Sequence, residues 1–406
     1  MLDWAPIFRN NYLEASIRGR IDKIAEVLKN EYKNENQFGF ISGIGGILAF
    51  MHQYNNFKGK LYFDVEIDIL IKKYFDFLND CNSEKSFAHC SGVVGIVWSF
   101  KYFKEVQLID EEIYNQILSL EKSSRAYLDW CEKQGNYDYL YGSIVRYTSY
   151  FSEGIDIDKL LTNCADKMRV NGFGSLSITR TFGKPSNENY DTFDLGIAHG
   201  NCGVLLCLNK LYERNRDNRI KNIISELLKI FEAILINNNK TGFSFFPYVI
   251  NDNETQIKCN SRLAWCTGDL AISYSLYEVT KQTGNFKLNR EILGILLVLC
   301  TRYKDEETGV VDAGFCHGSS GVAYIFLKLY NSTKIDDFKK AATYWTLKTL
   351  EYGGNDSNGY AGYLSKHAET WEKSLNLITG ISGIGLSLIA TVDYNKPNWD
   401  KAFLLS

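Results

Sequence analysis

Apolar residues along this chain fall into two kinds of run. Residues 47–54, 204–212, 271–279 and 322–330 are apolar on nearly every side, as in helices buried all round. Other stretches carry a single apolar stripe. In residues 17–32, Ile17, Ile21, Ile24, Leu28 and Tyr32 recur at helical spacing while Arg18, Lys23, Glu26 and Lys29 face away, which predicts an amphipathic helix. Residues 64–78, 111–130, 219–236, 288–303 and 336–352 predict further helices of this second kind. The chain has only four prolines (Pro6, Pro185, Pro247 and Pro397), as expected of a mostly helical protein.

A Gly-x-x-Gly frame, with a small apolar residue sometimes replacing the second Gly, precedes an apolar run seven times. The copies begin at Gly43, Gly92, Gly142, Gly200, Gly268, Gly318 and Gly380, spaced by 49, 50, 58, 68, 50 and 62 residues. A period near ~50 marks a solenoid, propeller or closed array. An open solenoid needs polar capping repeats, but the first copy (ISGIGGILAF) and the last (LITGISGIGLSLIA) are as apolar as the middle ones. The reading is therefore an all-α, seven-repeat ring: an inner barrel of buried helices inside an outer shell, one domain spanning 1–406. Residues 170–195 and 242–264 break the helical pattern and predict small insertions on its rim. The Gly pairs would stand at the N-terminal ends of the inner helices, where helix dipoles favour negative charge.

Equivalent positions of a repeat should meet around the rim. Two residues before the first Gly stand Cys90, Cys266 and Cys316, and one residue before it stand His199 and His317. Cys266 and Cys316 belong to neighbouring repeats. With His317 they make a donor set of two thiols and one imidazole, suited to a zinc ion with a free fourth position. A lone buried Cys is commonly a small hydrophobe; the shared register and adjacent His argue for ligation here. Cys90 holds the register too, but its repeat lies across the ring, so it reads as core or rim lining. Cys202 and Cys207 read as packing residues, and His52 and His367 have no register. His199 suits proton transfer near neutral pH. Asp138, in the adjoining repeat, either orients that imidazole or caps a helix.

A net charge of −3 over 406 residues and pI near 6.1 leave no basic face for nucleic acid. The first residues lack the apolar core of a signal peptide, and the apolar runs are too short for membrane spans. Ten scattered cysteines point to free thiols in a reducing cytoplasm.

Arg262-Leu-Ala-Trp-Cys266, Gly314-Phe-Cys316-His317-Gly318 and Ala198-His199-Gly200, set within seven Gly frames, resemble the lanthionine synthetase C-like family, specifically its stand-alone lantibiotic cyclases, over essentially the whole chain. The resemblance implies an α/α toroid with one zinc, held by the positions of Cys266, Cys316 and His317. It further implies His199 as acid/base, Asp138 as catalytic aspartate, Arg262 as an active-site arginine, and a small extension domain over residues 170–195. The activity implied is addition of peptide cysteine thiols to dehydroalanine or dehydrobutyrine, giving lanthionine or methyllanthionine rings. The implied partners are a dehydrated lantibiotic precursor peptide and a complex with dehydratase and transporter, placing the protein in the cytoplasm, at the membrane periphery when so assembled. Two departures stand out: Thr267 replaces the usual Tyr after the first zinc Cys, and the third repeat reads GSIVRY, without its second Gly. Two other readings remain open. One is addition of glutathione or another small thiol. The other is a non-catalytic peptide-binding scaffold with a structural zinc that recruits Cys90 or Cys259.

Overall fold

The computed structural model describes residues 4–9, 12–80, 85–148, 150–151, 155–180, 191–237, 243–252, 259, 261–354 and 358–406. Parts of both predicted insertions, residues 181–190 in one and 242, 253–258 and 260 in the other, lie outside the described residues. By its internal contacts the chain divides into two compact units, one made of Met1–Ser124 with Val310–Ser406, the other of Arg125–Gly309.

Helix dominates both. At six of the seven frames the first Gly is the N-cap of a helix: Ile44–Lys58, Val93–Glu105, Asn201–Asn215, Asp269–Thr283, Ser319–Thr333 and Ile381–Val392. These helices are nearly or entirely buried; every residue of Ile381–Val392 is. The stretches read as amphipathic become Tyr12–Glu31, Asp64–Asn79, Asn218–Asn237, Phe286–Leu299 and Asp336–Tyr352. In Asn218–Asn237 the buried face is Ile220, Ile224, Leu227, Leu228, Ile230, Phe231 and Ile234, built on the i, i+4, i+7 stripe that a half-buried helix requires. The predicted helix over 111–130 is two pieces, Glu111–Asn115 and Leu118–Lys133.

Within each unit a capped helix packs on the amphipathic helix that follows it and on the neighbouring capped helix. Ser319–Thr333 lies against Asp336–Tyr352 and Ile381–Val392, and the latter also against Ile44–Lys58. In the second unit Asp269–Thr283 lies against Phe286–Leu299 and Asn201–Asn215.

The second Gly of the frame allows this packing. A Cβ at Gly95, Gly203, Gly321 or Gly383 would stand 2.2, 2.2, 1.8 or 1.9 Å from the carbonyl oxygen six residues earlier. The helix start is pressed directly onto the loop before it. In the third copy that second position is Val145, and a capped helix does not form. A short 3₁₀ turn, Ile144–Tyr147, stands in its place. The fifth copy tolerates Ala271 and has Gly268 at φ 101°; Gly43 of the first copy is also at positive φ, 149°, whereas the other four capping glycines are extended.

Strands are few and short. Met168–Val170 pairs with Leu176–Ile178, Thr192–Asp194 with Val249–Asn251, and Ser365–His367 with Thr370–Glu372, all antiparallel. Apart from Met168 and Arg169, which precede residue 170, the first two pairs fall in the predicted insertions; the third was not expected. No described helix is long and apolar enough to cross a membrane.

Candidate functional site

Each candidate residue sits in the loop just before a frame's first Gly, and that loop is a repeated backbone unit. The N–H after the first Gly donates to the carbonyl seven residues earlier: Ile44 to Gln37, Val93 to Ser86, Ser143 to Asn136, Asp269 to Arg262, Ser319 to Asp312 and Ile381 to Ser374. The third copy keeps this closure although its helix is lost.

Successive loops are stitched together at the register read from the sequence. Cys316 N–H donates to the Ile378 carbonyl at 2.7 Å, and Ile378 N–H to that of Ile41 at 3.1 Å. In the second unit the Cys266 carbonyl accepts from Ile197 and Ala198 at 2.8 and 3.1 Å. Residues two before the Gly thus meet their counterparts in the next loop. Thr267 also presses on the His199 loop: a Cβ at Gly196 would fall 2.7 Å from its Cβ.

In the second unit the structure brings His199 and Asp138 together, Nδ1 to Oδ2 at 2.7 Å. The other oxygen of Asp138 accepts the Leu140 and Tyr141 N–H groups, each at 2.8 Å. One buried carboxylate therefore both closes its own loop and holds the imidazole; it caps no helix, since the 3₁₀ turn that follows has Ser143 at its N-cap. The Tyr141 ring stacks on the imidazole, centroids 6.0 Å apart and planes within 10°. Burial by itself lowers the His199 pKa, but the Asp138 hydrogen bond and charge, with Asp194 and Cys266 nearby, outweigh it and hold the pKa above 6.5. Arg262 Nη2 approaches Cys266 Sγ at 3.5 Å, and its backbone N–H donates to the Tyr248 hydroxyl at 2.9 Å.

The Cys266 loop is anchored from below by Asp269, whose carboxylate accepts from Arg302 at 2.6 Å, Ser261 at 2.7 Å and Phe246 N–H at 2.9 Å. Asp269 is fully buried and Arg302 nearly so. A buried ion pair needs such partners to offset its desolvation.

In the first unit His317 and Cys316 stand at the loop's end, and Asp312 at its start. Asp312 Oδ1 accepts Gly314 N–H at 2.9 Å; Oδ2 accepts Lys366 N–H at 2.8 Å and lies 3.9 Å from His317 Nε2. Sequence reasoning missed Asp312 and Asp194. The signal was available: both stand six residues before a frame's first Gly, in Asp194-x-Gly196-x-x-His199-Gly200 and Asp312-x-Gly314-x-x-His317-Gly318.

Cys266 and Cys316 are partly exposed, whereas Cys90, Cys131, Cys164, Cys202, Cys207 and Cys300 are buried. Cys259 is also partly exposed, but burial, with the Asp269 charge adding, pushes its thiol up to about 12. His52 bonds only locally, to Asn56 at 3.0 Å, and His367 is exposed on the third hairpin.

The family model for lanthionine synthetase C-like proteins matches residues 7–404. A solved structure of nisin cyclase superposes with a TM-score of 0.73 at 18% identity, covering 96% of this chain and 97% of that one, so the two share a fold. Cellobiose 2-epimerase from Bacillus thermoamylovorans B4167 (TM-score 0.42, 14% identity, covering 72% of this chain and 85% of that one) and a sugar epimerase from a ruminal bacterium (0.47, 12%, 94% and 98%) are more distant. No curated protein gives a significant match. With its helical repeats, its stitched loops and a family match that leaves only the chain ends uncovered, the protein belongs to the lanthionine synthetase C-like family.

Proposed function

We propose that this protein is a zinc-dependent cyclase that adds cysteine thiols of a dehydrated ribosomal peptide to dehydroalanine or dehydrobutyrine, forming thioether rings. Cys266, Cys316 and His317 would hold the metal, a group whose donor types suit an ion. Two thiolates and an imidazole are soft donors of the kind zinc takes, and the partial exposure of both thiols leaves them open to metal and substrate. Zinc bound there supplies one thing, a lowered pKa for the incoming peptide thiol.

The chain's own residues supply the rest. The thiolate sulfur forms a bond to the β-carbon of the dehydro residue, and the electron pair of the double bond moves to Cα and its carbonyl as an enolate. The proton returned to Cα comes from His199, which its Asp138 partner keeps protonated above the usual imidazole range. Net change is one S–H added across one C=C. Arg262, already 3.5 Å from the Cys266 sulfur, places a fixed positive charge to stabilise the enolate. The observation that carries this reading is the His199–Asp138 pair, tied to the Cys266 loop by hydrogen bonds from Ile197 and Ala198.

The reading implies a dehydrated precursor peptide as substrate, a dehydratase to make it, a transporter to export the product, and a cytoplasmic setting. The nisin cyclase likeness supports a peptide substrate. The test is to incubate dehydrated precursor with zinc-loaded enzyme and count alkylatable thiols by mass. Loss of thiols beyond the spontaneous background, abolished in Cys316→Ala, supports the proposal. Thiols that stay fully alkylatable refute it.

A further inference from the structure

A cavity of about 400 Å³ opens beside the Cys316–His317 loop, walled by Val311, Tyr352, Leu364 and Trp371 and bordered by Asp312. Building on the cyclase reading, we propose that it is a specificity subsite, taking an apolar or aromatic side chain of the residue that flanks the reacting cysteine.

Size and lining set the chemistry. Ligand sites run from roughly 300 to 1,000 Å³, so this one has room for one large side chain and its adjoining backbone. Val311 and Trp371 are 44% and 50% exposed, an apolar face of the kind that marks a binding surface. The Tyr352 wall is fixed, its hydroxyl donating to the Val310 carbonyl at 3.1 Å. Trp371 is held on the short hairpin directly across from Lys366.

A cationic side chain is disfavoured, because both aromatic rings already carry a cation. Lys366 Nζ lies 5.4 Å from the Trp371 centroid, and Lys348 Nζ 5.4 Å from that of Tyr352. The one carboxylate at the border is buried and engaged by the Gly314 and Lys366 N–H groups. With Asn358 and Gly362 completing a lining otherwise made of Val311, Tyr352, Leu364 and Trp371, an apolar guest fits it best.

Position ties the cavity to the reaction. Asp312 borders it and also lies 3.9 Å from His317 Nε2. Consecutive Cα atoms are about 3.8 Å apart, so residues close in sequence to a thiol engaged at His317 are the ones that can reach a cavity sharing Asp312 with it.

The experiment uses the full-length, zinc-loaded protein and two sets of dehydrated peptides. In the first, the reacting cysteine is serine and the flanking residue is Ala, Leu or Phe; calorimetry reads binding. Leu and Phe peptides should bind roughly tenfold to a hundredfold tighter than Ala, the effect of burying one such side chain. Trp371→Ala and Val311→Ser, both changes at half-exposed positions, should each remove most of that preference. Phe286→Ala, 76% exposed on a helix of the other unit, should leave it intact. In the second set the cysteine is retained and KM and kcat are read, with the preference expected in KM. A flanking-residue preference in binding without any cyclisation upholds the subsite and overturns the cyclase reading. Cyclisation with the same KM for all three peptides overturns the subsite and leaves the cyclase reading standing. Equal binding of the three serine peptides also overturns it.

Discussion

Replacing Gly321 by Ala tests the packing that places the Cys316–His317 loop. Its Cβ would stand 1.8 Å from the Phe315 carbonyl oxygen, whereas real Cβ contacts essentially never fall under 3.0 Å. Loop and helix must separate by about 1.2 Å, the difference of those distances. Neither side gives easily. Phe315 is fully buried, its ring 4.3 Å from Phe403, 5.3 Å from Trp399 and 5.7 Å from Tyr324 between centroids. The next residue, Cys316, is held by its 2.7 Å bond to Ile378. Overpacking a rigid core costs about 1–3 kcal/mol and occasionally more, and each aromatic pair loosened adds about 0.5–1.5 kcal/mol. The expected loss is about 3 kcal/mol or more. Gly294→Ala is the control, since nothing lies within 4 Å of its added methyl inside a helix; it should stabilise by about 0.5–1 kcal/mol. Urea unfolding of the metal-free proteins reads both, and zinc titration reads the displaced loop, where a 10–100-fold loss of affinity is expected of roughly this kind of change. If Gly321→Ala unfolds at the wild-type midpoint and binds zinc normally, the helix starts are not pressed on their loops and the account of the repeated glycine fails.

Other outcomes follow from the same geometry. Because Asp138 raises the His199 pKa above 6.5, the pair's contribution to stability is full below that value and fades as pH rises through the folded pKa. Activity that needs the imidazolium falls along the same limb. Asp138→Asn should move the alkaline limb of kcat to lower pH and lower the His199 midpoint in an NMR titration; unmoved midpoints would show that the carboxylate does not set the proton. Arg302→Met strands the fully buried Asp269 carboxylate and should cost about 3–5 kcal/mol, read by urea unfolding, with a cost under about 1 kcal/mol counting against the anchoring role.

Much of this was legible beforehand because one constraint is written seven times. A helix start pressed against its own loop excludes a side chain, so Gly recurs at a fixed offset and six capped helices appear where the frames predict them. The same offset aligned Cys266 with Cys316 and His199 with His317, and the loop-to-loop hydrogen bonds respect that alignment. The third copy was readable as a departure, but its consequence was not. Val145 puts a branched side chain where five of the other six copies have Gly and the sixth only Ala271, and Ile144–Tyr147 around it form a four-residue turn paired through Arg146 with Asp129. The helix Ile157–Lys167 was missed although Asp156 caps it, because the degraded repeat gave no frame to count from. Asp194 and Asp312 were missed for another reason: across all seven copies the register was aligned only two residues back from the Gly, and the loop begins six back. The Ser365–Glu372 hairpin is short, polar and largely exposed, with no periodic apolar pattern to announce it.

The central claim of the proposed function is that Cys266, Cys316 and His317 are the ligands of a single zinc ion. Zinc per chain, measured by elemental analysis on purified wild type and on Cys266→Ala, Cys316→Ala and His317→Ala after dialysis against a weak chelator, tests it most directly. The account predicts close to one equivalent in the wild type and near none in each variant. Full zinc in any of the three, or none in intact wild type, contradicts it.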